Sequence, residues 1–226
     1  MRHEQSLRIR HRIDPVWDAR NDAVTAFICL PDGDAADGVS GLAAATARIA
    51  LFLAAGERFL VCLPVPFAGL ASASGRAQFL GACEAMPGGC RSYLVFVLGG
   101  IPPDVTRAAL ADAAMALRPF GRCIAALPPG CRDLTPYMNH AVGGLALDFA
   151  RDFADSERTR VVIGCVGEAA QDLRWGAMAL GLEDGPLLAA VQAADFRFLH
   201  GAGVRPPLHP AALPVGGIPD ARAPRI

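Results

Sequence analysis

The residues with most chemistry to offer are few and far apart in this chain. Cys29, Cys62 and Cys165 end or interrupt apolar runs, and three thiolates brought to one rim could hold a zinc ion. No C-x-x-C pair accompanies them, and small thiols are ordinary filling in apolar interiors, so core packing is the plainer reading. His140, in Tyr137-Met138-Asn139-His140, would need a serine and an acid beside it to act as a base. No Gly-x-Ser-x-Gly elbow occurs, and Ser40, Ser72 and Ser74 read as helix-start or loop serines, which leaves His140 capping the carbonyls of a helix end. Gly99-Gly100 lies between a strand-like run and Pro102-Pro103, where a phosphate could meet a helix N-terminus. The full dinucleotide fingerprint is missing, so a tight strand-to-helix turn is the assignment. A combination of Cys62, Asp148 and Glu168 is the arrangement left for an enzyme with a re-used active-site mouth.

Composition narrows the classes further. The 226 residues, 53% of them hydrophobic, suffice for one large core, and 21 basic against 22 acidic residues give a net charge of -1. No basic excess exists to attract a polynucleotide or an anionic membrane surface. All 21 basic residues are arginines, which removes Schiff-base chemistry and the lysine of a phosphate-binding P-loop. Seven cysteines at irregular spacing suggest reduced thiols in a reducing compartment, and neither a secretory signal nor a membrane-length apolar run is visible. A cytoplasmic location is expected.

The elements that would position these residues alternate along the chain. Residues 7 to 18 alternate apolar with basic, turn at 18 to 21, and are followed by the apolar run 23 to 30, which predicts an opening strand pair. A helix follows, with Ser40 as its cap and Leu42, Ala45, Ile49 and Leu53 on its buried face. Strands are then predicted at 58–64, 92–98, 122–127, 144–148 and 160–166, with helices within 72–86, 103–118, 132–141 and 168–181 and a weak last strand at 185–190. Trp175, near Leu173 and Met178, is assigned to the core. Six prolines and two glycines among residues 205–226 argue against any regular element there. The division is a single barrel domain over 1–204 and a Pro-rich tail over 205–226.

Barrels of alternating strands and helices place catalytic groups at strand C-termini, and of the runs ending at Leu63, Leu98, Asp148 and Val166 only one ends in a carboxylate. In order and in weak local motifs, residues 7 to 190 resemble the EAL domain, a TIM-type α/β barrel that hydrolyses cyclic di-GMP with divalent metal ions. Ile13-Asp14-Pro15-Val16-Trp17-Asp18 stands where the family has "QPIVD", and Ile28-Cys29-Leu30 where it has Glu-Ala-Leu, which puts Ile28 at a metal ligand. The family's "VNLS" is similar in place to Val61-Cys62-Leu63-Pro64, and its "TE" to Val97-Leu98. Its "DDFG" falls on Ala125-Ala126-Leu127-Pro128, and its "KID" on Ala146-Leu147-Asp148. Its "AEGVE" is matched to Ile163-Gly164-Cys165-Val166-Gly167 and its "QGYL" to Asp184-Gly185-Pro186-Leu187, while the arginine that closes the first motif falls near Asp32.

The resemblance therefore implies a degenerate EAL-like barrel with vestigial pocket positions at Ile28, Cys62, Leu98, Asp148, Gly164, Gly167 and Asp184, of which Asp148 alone keeps its acid. One aspartate cannot assemble a two-metal hydrolytic site, so no catalytic, cofactor-binding or metal-ligating residue is expected. With Asp32 and Asp184 in place of an arginine and a glutamine, cyclic di-GMP binding is not expected either. What remains is an inactive regulatory or scaffolding protein of bacterial signalling, acting on a protein partner or by self-association. The alternatives are a non-hydrolysing cyclic di-GMP sensor and the re-used mouth. The family carries a longer helical segment where this chain has the 12 residues 149–160, so the sequence leaves closure of the barrel open at that crossover.

Overall fold

The structure, a computed structural model, describes residues 11–31, 38–128, 131, 133–150, 157–183 and 185–204. Runs of four to nine residues, rich in apolar side chains, form seven strands, and a two-residue run forms an eighth: β1 His11–Asp18, β2 Ala23–Pro31, β3 Leu60–Pro66, β4 Leu94–Gly99, β5 Arg122–Leu127, β6 Gly144–Asp148, β7 Ala177–Leu180 and β8 Phe198–Leu199. Helices α1 Gly38–Ala54, α2 Phe67–Ala71, α3 Ala73–Glu84, α4 Arg107–Leu117, α5 Glu157–Ala170 and α6 Gly185–Ala193 lie between them, with a 3-10 turn at Gly88–Tyr93. Ser72 caps α3 by accepting from the Gly75 N–H, and Thr106 caps α4 by accepting from the Ala109 N–H. The strands pair in chain order into a closed barrel, parallel throughout except β1, which runs antiparallel to both β2 and β8.

Strand alternation sorts the side chains into two apolar shells. One fills the barrel: Val16, Ala26, Ile28, Leu60, Cys62, Val95, Val97, Ile124, Ala126, Ala146, Met178, Leu180 and Phe198, with Trp175. Trp175 precedes β7 and so plugs the end away from the strand C-termini, where the Arg122 guanidinium stacks 4.6 Å above its ring. The other shell packs strands against helices, and in it Phe27, Phe52 and Phe59 hold β2 to α1 with centroids 5.1 Å apart.

Closure rests on a short seam. β1 and β8 share only the register pairs Trp17 with Leu199 and Asp18 with Phe198. At its end the fully buried Asp18 carboxylate accepts from Arg197 Nη2 at 2.9 Å and Nε at 3.2 Å, from the backbone N–H groups of Arg20 and Asn21, and from Asn21 Nδ2. Each carboxylate oxygen thus has at least two donors.

Several expected elements take a different form. Residues 160–166 belong to α5 rather than to a strand, because Thr159, Ile163, Val166, Gly167 and Ala170 form one buried helical face, and a short apolar run cannot by itself separate the two periods. The seventh strand therefore falls at Ala177–Leu180, inside the expected 168–181 helix, and 185–190 is helix α6. The expected 132–141 helix is a series of turns, so β5 and β6 are joined without a helix among the described residues. Since α5 covers the crossover after β6, the barrel is closed there. Ser40 lies inside α1 rather than at its cap, and Phe52 takes the buried place given to Leu53. The tail 205–226 lies outside the described residues.

Burial pushes Cys29 up to about 11 and Cys62, Cys83 and Cys123 up to about 12. A thiol raised above its unfolded value contributes stability that is fully present below that value and is lost as pH rises through the folded one. These four thiols should thus add no pH dependence up to about pH 8 and a progressive loss of stability from about pH 9 to about pH 12. A thiol-reactive dye should label exposed Cys165 at once in the native protein, half-buried Cys131 more slowly, and the five buried cysteines only on unfolding. For the seam, Asp18→Ala should cost about 3–5 kcal/mol in urea denaturation, because it strands a partly buried guanidinium. Arg197→Met should cost clearly less, since Arg20 and Asn21 still serve the carboxylate. Equal costs would deny Asp18 its role as the hub of closure.

Candidate functional site

The C-terminal ends of β2 to β8 form one mouth. Because β1 runs the other way, its first residues lie at this same end, with His11 opposite Pro31 and Arg12 opposite Leu30. The inward side chains just beneath the mouth are Ile28, Cys62, Val97, Ala126, Ala146 and Leu180, and Leu30 packs partly buried above them. Ile28 and Cys62 are register partners across β2 and β3. The Cys62 thiol, wholly buried and raised by desolvation, stays protonated at neutral pH.

Polar groups enter the mouth from the two ends of the chain. Asp14 lies in the same inward series as Val16, opposite Ile28, and is 3% exposed. Its Oδ2 forms an ion pair with Arg12 Nε at 2.9 Å and faces His200 Nε2 at 3.4 Å. His200 directly follows β8 and is itself buried. Its Nδ1 accepts from the Gly181 N–H at 3.3 Å, so the ring proton sits on Nε2 and points at Asp14. Both ring nitrogens are thereby engaged within the protein. Asp14 Oδ1 has no hydrogen-bond partner among the described residues.

Backbone geometry sets this cluster in place. The Leu182 N–H donates to the His200 carbonyl and the Gly203 N–H to the Leu182 carbonyl, zipping the segments that follow β7 and β8 together. At Gly201, with φ of +142°, an added Cβ would sit 2.2 Å from the Leu182 oxygen, so no other residue fits. Gly181, at φ +70°, likewise leaves room only for the Ala150 backbone beyond β6, where the Ala150 N–H donates to Asp148 Oδ1. One connected set of contacts therefore joins the ends of β1, β6, β7 and β8.

Of the expected pocket positions, Ile28 and Cys62 are inside the barrel and Asp148 ends β6 at the mouth. Leu98 is not in the pocket: it packs outward against the helices, and Val97 is the inward residue of β4. Gly164 and Gly167 lie on α5 in the outer layer, away from the mouth, because their segment is helix. Asp184 and Asp32 lie outside the described residues. With β7 at Ala177–Leu180 and β8 at Phe198–Leu199, the residues that follow the last two strands at the mouth are Gly181-Leu182-Glu183 and His200-Gly201.

Other candidates separate in space. Cys29 faces the helices, Cys62 the barrel interior, and Cys165 is exposed on α5, so they share no rim. Glu168 is on the exposed face of α5 and does not join Cys62 and Asp148. His140 is exposed in a turn, Gly100 makes the tight turn after β4 at φ +64°, and Trp175 is core. Among the described residues no three of His, Cys, Asp and Glu lie close enough together to hold a metal ion, and the aliphatic inward positions do not fit a pair of divalent cations, which need several oxygen ligands. The sequence signal for Asp14 was a charged residue at an inward position of an alternating strand. Nothing local pointed to His200.

No family model and no curated protein matches the sequence. Solved structures do match in shape. The phosphodiesterase PaMucR in its c-di-GMP complex is 12% identical with a TM-score of 0.73, over 90% of this chain and 93% of that one. An EAL domain protein from Listeria monocytogenes EGD-e is 14% identical with a TM-score of 0.63, over 88% of this chain and 87% of that one. The Bacillus subtilis YkuI protein, with an EAL domain, in complex with substrate c-di-GMP and calcium, is 12% identical with a TM-score of 0.62, over 85% of this chain and 54% of that one. The chain spans 61% of the length of an EAL enzyme solved in a cGMP-bound form, also 12% identical. No helix among the described residues is long and apolar enough to cross a membrane. The inference that cyclic di-GMP binding is not to be expected is corrected here, because neighbours with this barrel are complexes with that nucleotide. That inference leaned on Asp32 and Asp184, both of which lie outside the described residues. At these identities the likeness is one of fold, and the fold is the closed eight-strand α/β barrel of EAL-domain proteins.

Proposed function

We propose that this chain is a non-hydrolysing EAL-like barrel, a regulatory protein that takes cyclic di-GMP at its mouth and answers to it rather than consuming it. The observation that carries the reading is the chemistry of the inward positions: Ile28, Cys62, Val97 and Ala126, on four successive strands, offer no hard oxygen ligand. Hydrolysis of a phosphodiester through divalent ions needs such oxygens to hold the ions and lower the pKa of the attacking water. Asp14, Asp148 and Glu183 supply carboxylates at the edge, yet Asp14 is tied to Arg12 and His200, and Asp148 accepts from Ala150.

An apolar barrel end with a few polar groups at its edge suits binding, since base faces pack against aliphatic side chains while the edge fixes orientation. His200 is a poor general base here, because its acceptor nitrogen is already occupied by a backbone N–H. The signal is read out, on this proposal, through contact with another protein in a bacterial signalling setting.

Purified protein with magnesium or manganese should release no linear dinucleotide from cyclic di-GMP, while the same nucleotide should raise the melting temperature saturably. At a hundredfold excess over Kd the stabilisation is about 2.7 kcal/mol, or roughly 5–10 °C for a chain of this size. Turnover proportional to protein and lost in Asp148→Ala would make it an enzyme. A flat thermal response would remove the nucleotide from its function.

A further inference from the structure

The end of the barrel opposite the mouth carries positive charge without a counter-charge among the described residues. Arg122 opens β5 there, with Nη1 donating to the Ser92 carbonyl and its guanidinium stacked on the Trp175 ring. The indole fits beneath it because Gly143 has no side chain: an added Cβ would stand 2.6 Å from the ring. Arg174, exposed and next to Trp175 in the chain, is near enough to repel Arg122, and burial together with that repulsion lowers the Arg122 pKa. Arg91, before β4, stacks 5.1 Å from the centre of Phe120, before β5. Among the described residues none of these three arginines forms an ion pair, and neither does Asp172, exposed on the same segment as Arg174. Arg197 and Arg20, at the same end, are matched by Asp18 and Asp195.

We infer that this arginine-on-aromatic face is a docking surface for an acidic segment of a partner protein, whose Asp or Glu carboxylates seat on Arg122 and Arg174. A guanidinium already held by stacking loses little further freedom when it pairs with a carboxylate. Two like charges held together gain more from one anion than either would alone. Arginine and aromatic side chains are also the usual carriers of interface energy. Nucleic acid is the poorer occupant, because the net charge is -1 and so small a cluster makes no continuous basic track. The inference goes beyond the proposed function by naming the chemistry of the partner and the end of the barrel it meets. It holds whether or not the mouth takes a nucleotide.

Fluorescence anisotropy of the full chain at physiological salt tests it with three labelled probes: a peptide of Glu, Asp and Tyr, the same peptide with Gln and Asn for the acids, and an oligothymidylate of equal charge. The acidic peptide should bind saturably and the other two weakly, with affinity falling as salt rises. Arg122→Gln with Arg174→Gln should weaken it about tenfold, the combined scale of two partly exposed charge pairs. Arg107→Gln with Arg158→Gln removes the same charge from exposed first-turn positions of α4 and α5 and should change nothing. Arg174→Gln alone, at an exposed side chain, keeps the test valid should loss of Arg122 loosen the packing on Trp175, and should weaken binding about threefold. No binding of the acidic peptide, equal binding of its amide counterpart, or equal losses in the two double variants would overturn the inference. Tighter binding of the oligothymidylate would overturn it in favour of nucleic acid. None of these readings involves cyclic di-GMP, so this inference and the proposed function fail separately.

Discussion

The barrel depends on a seam of two register pairs and one buried carboxylate. A sheet becomes a barrel only when its last strand finds its first, and here the last strand is two residues long. So short a ladder contributes little by itself. Asp18 compensates by gathering donors from β1's own turn and from Arg197, just before β8. Because the chain ends that meet there are 179 residues apart, the contact carries a large loop-closure cost and can form only when the intervening units are in place. Antiparallel β1 makes the arrangement possible: it places Asp18 at the closed end and His11, Arg12 and Asp14 at the open one.

Inside that frame, polarity is confined to the ends. The interior layers are aliphatic, the floor is Trp175 under a stacked guanidinium, and the thiol of Cys62 behaves as a small hydrophobe. Such an interior is well suited to burying a flat apolar face.

The mouth is wired rather than open. Gly181, His200 and Asp14 form a relay from the end of β7 through the end of β8 to β1, and Gly181 also abuts Ala150 beyond β6. A group that pairs with Asp14 would therefore act on a carboxylate coupled through hydrogen bonds to the ends of β8 and β7. On the proposed function, that is the physical basis on which occupancy of the mouth is felt at the surface.

Hydrophobic alternation and turn signals, both local, were enough to identify most of the βα succession, the opening antiparallel pair, the Trp175 core assignment and the apolar character of Ile28 and Cys62. They fail where a short apolar run fits two periods: residues 160–166 have the composition of a strand, and only the burial of Ile163, Val166 and Ala170 against the barrel makes them a helix. That single exchange moved the seventh and eighth strands along the chain, carried Gly164 and Gly167 out of the pocket, and left Leu180 and His200 to take up positions no local pattern marked. Asp14 and Asp18 were visible as carboxylates in a strand, but their meaning lies in His200 and Arg197, 186 and 179 residues away. Sequence fixes which side chains can be buried; which of them meet is decided by barrel closure, because pairing between distant segments depends on the register of every strand between them.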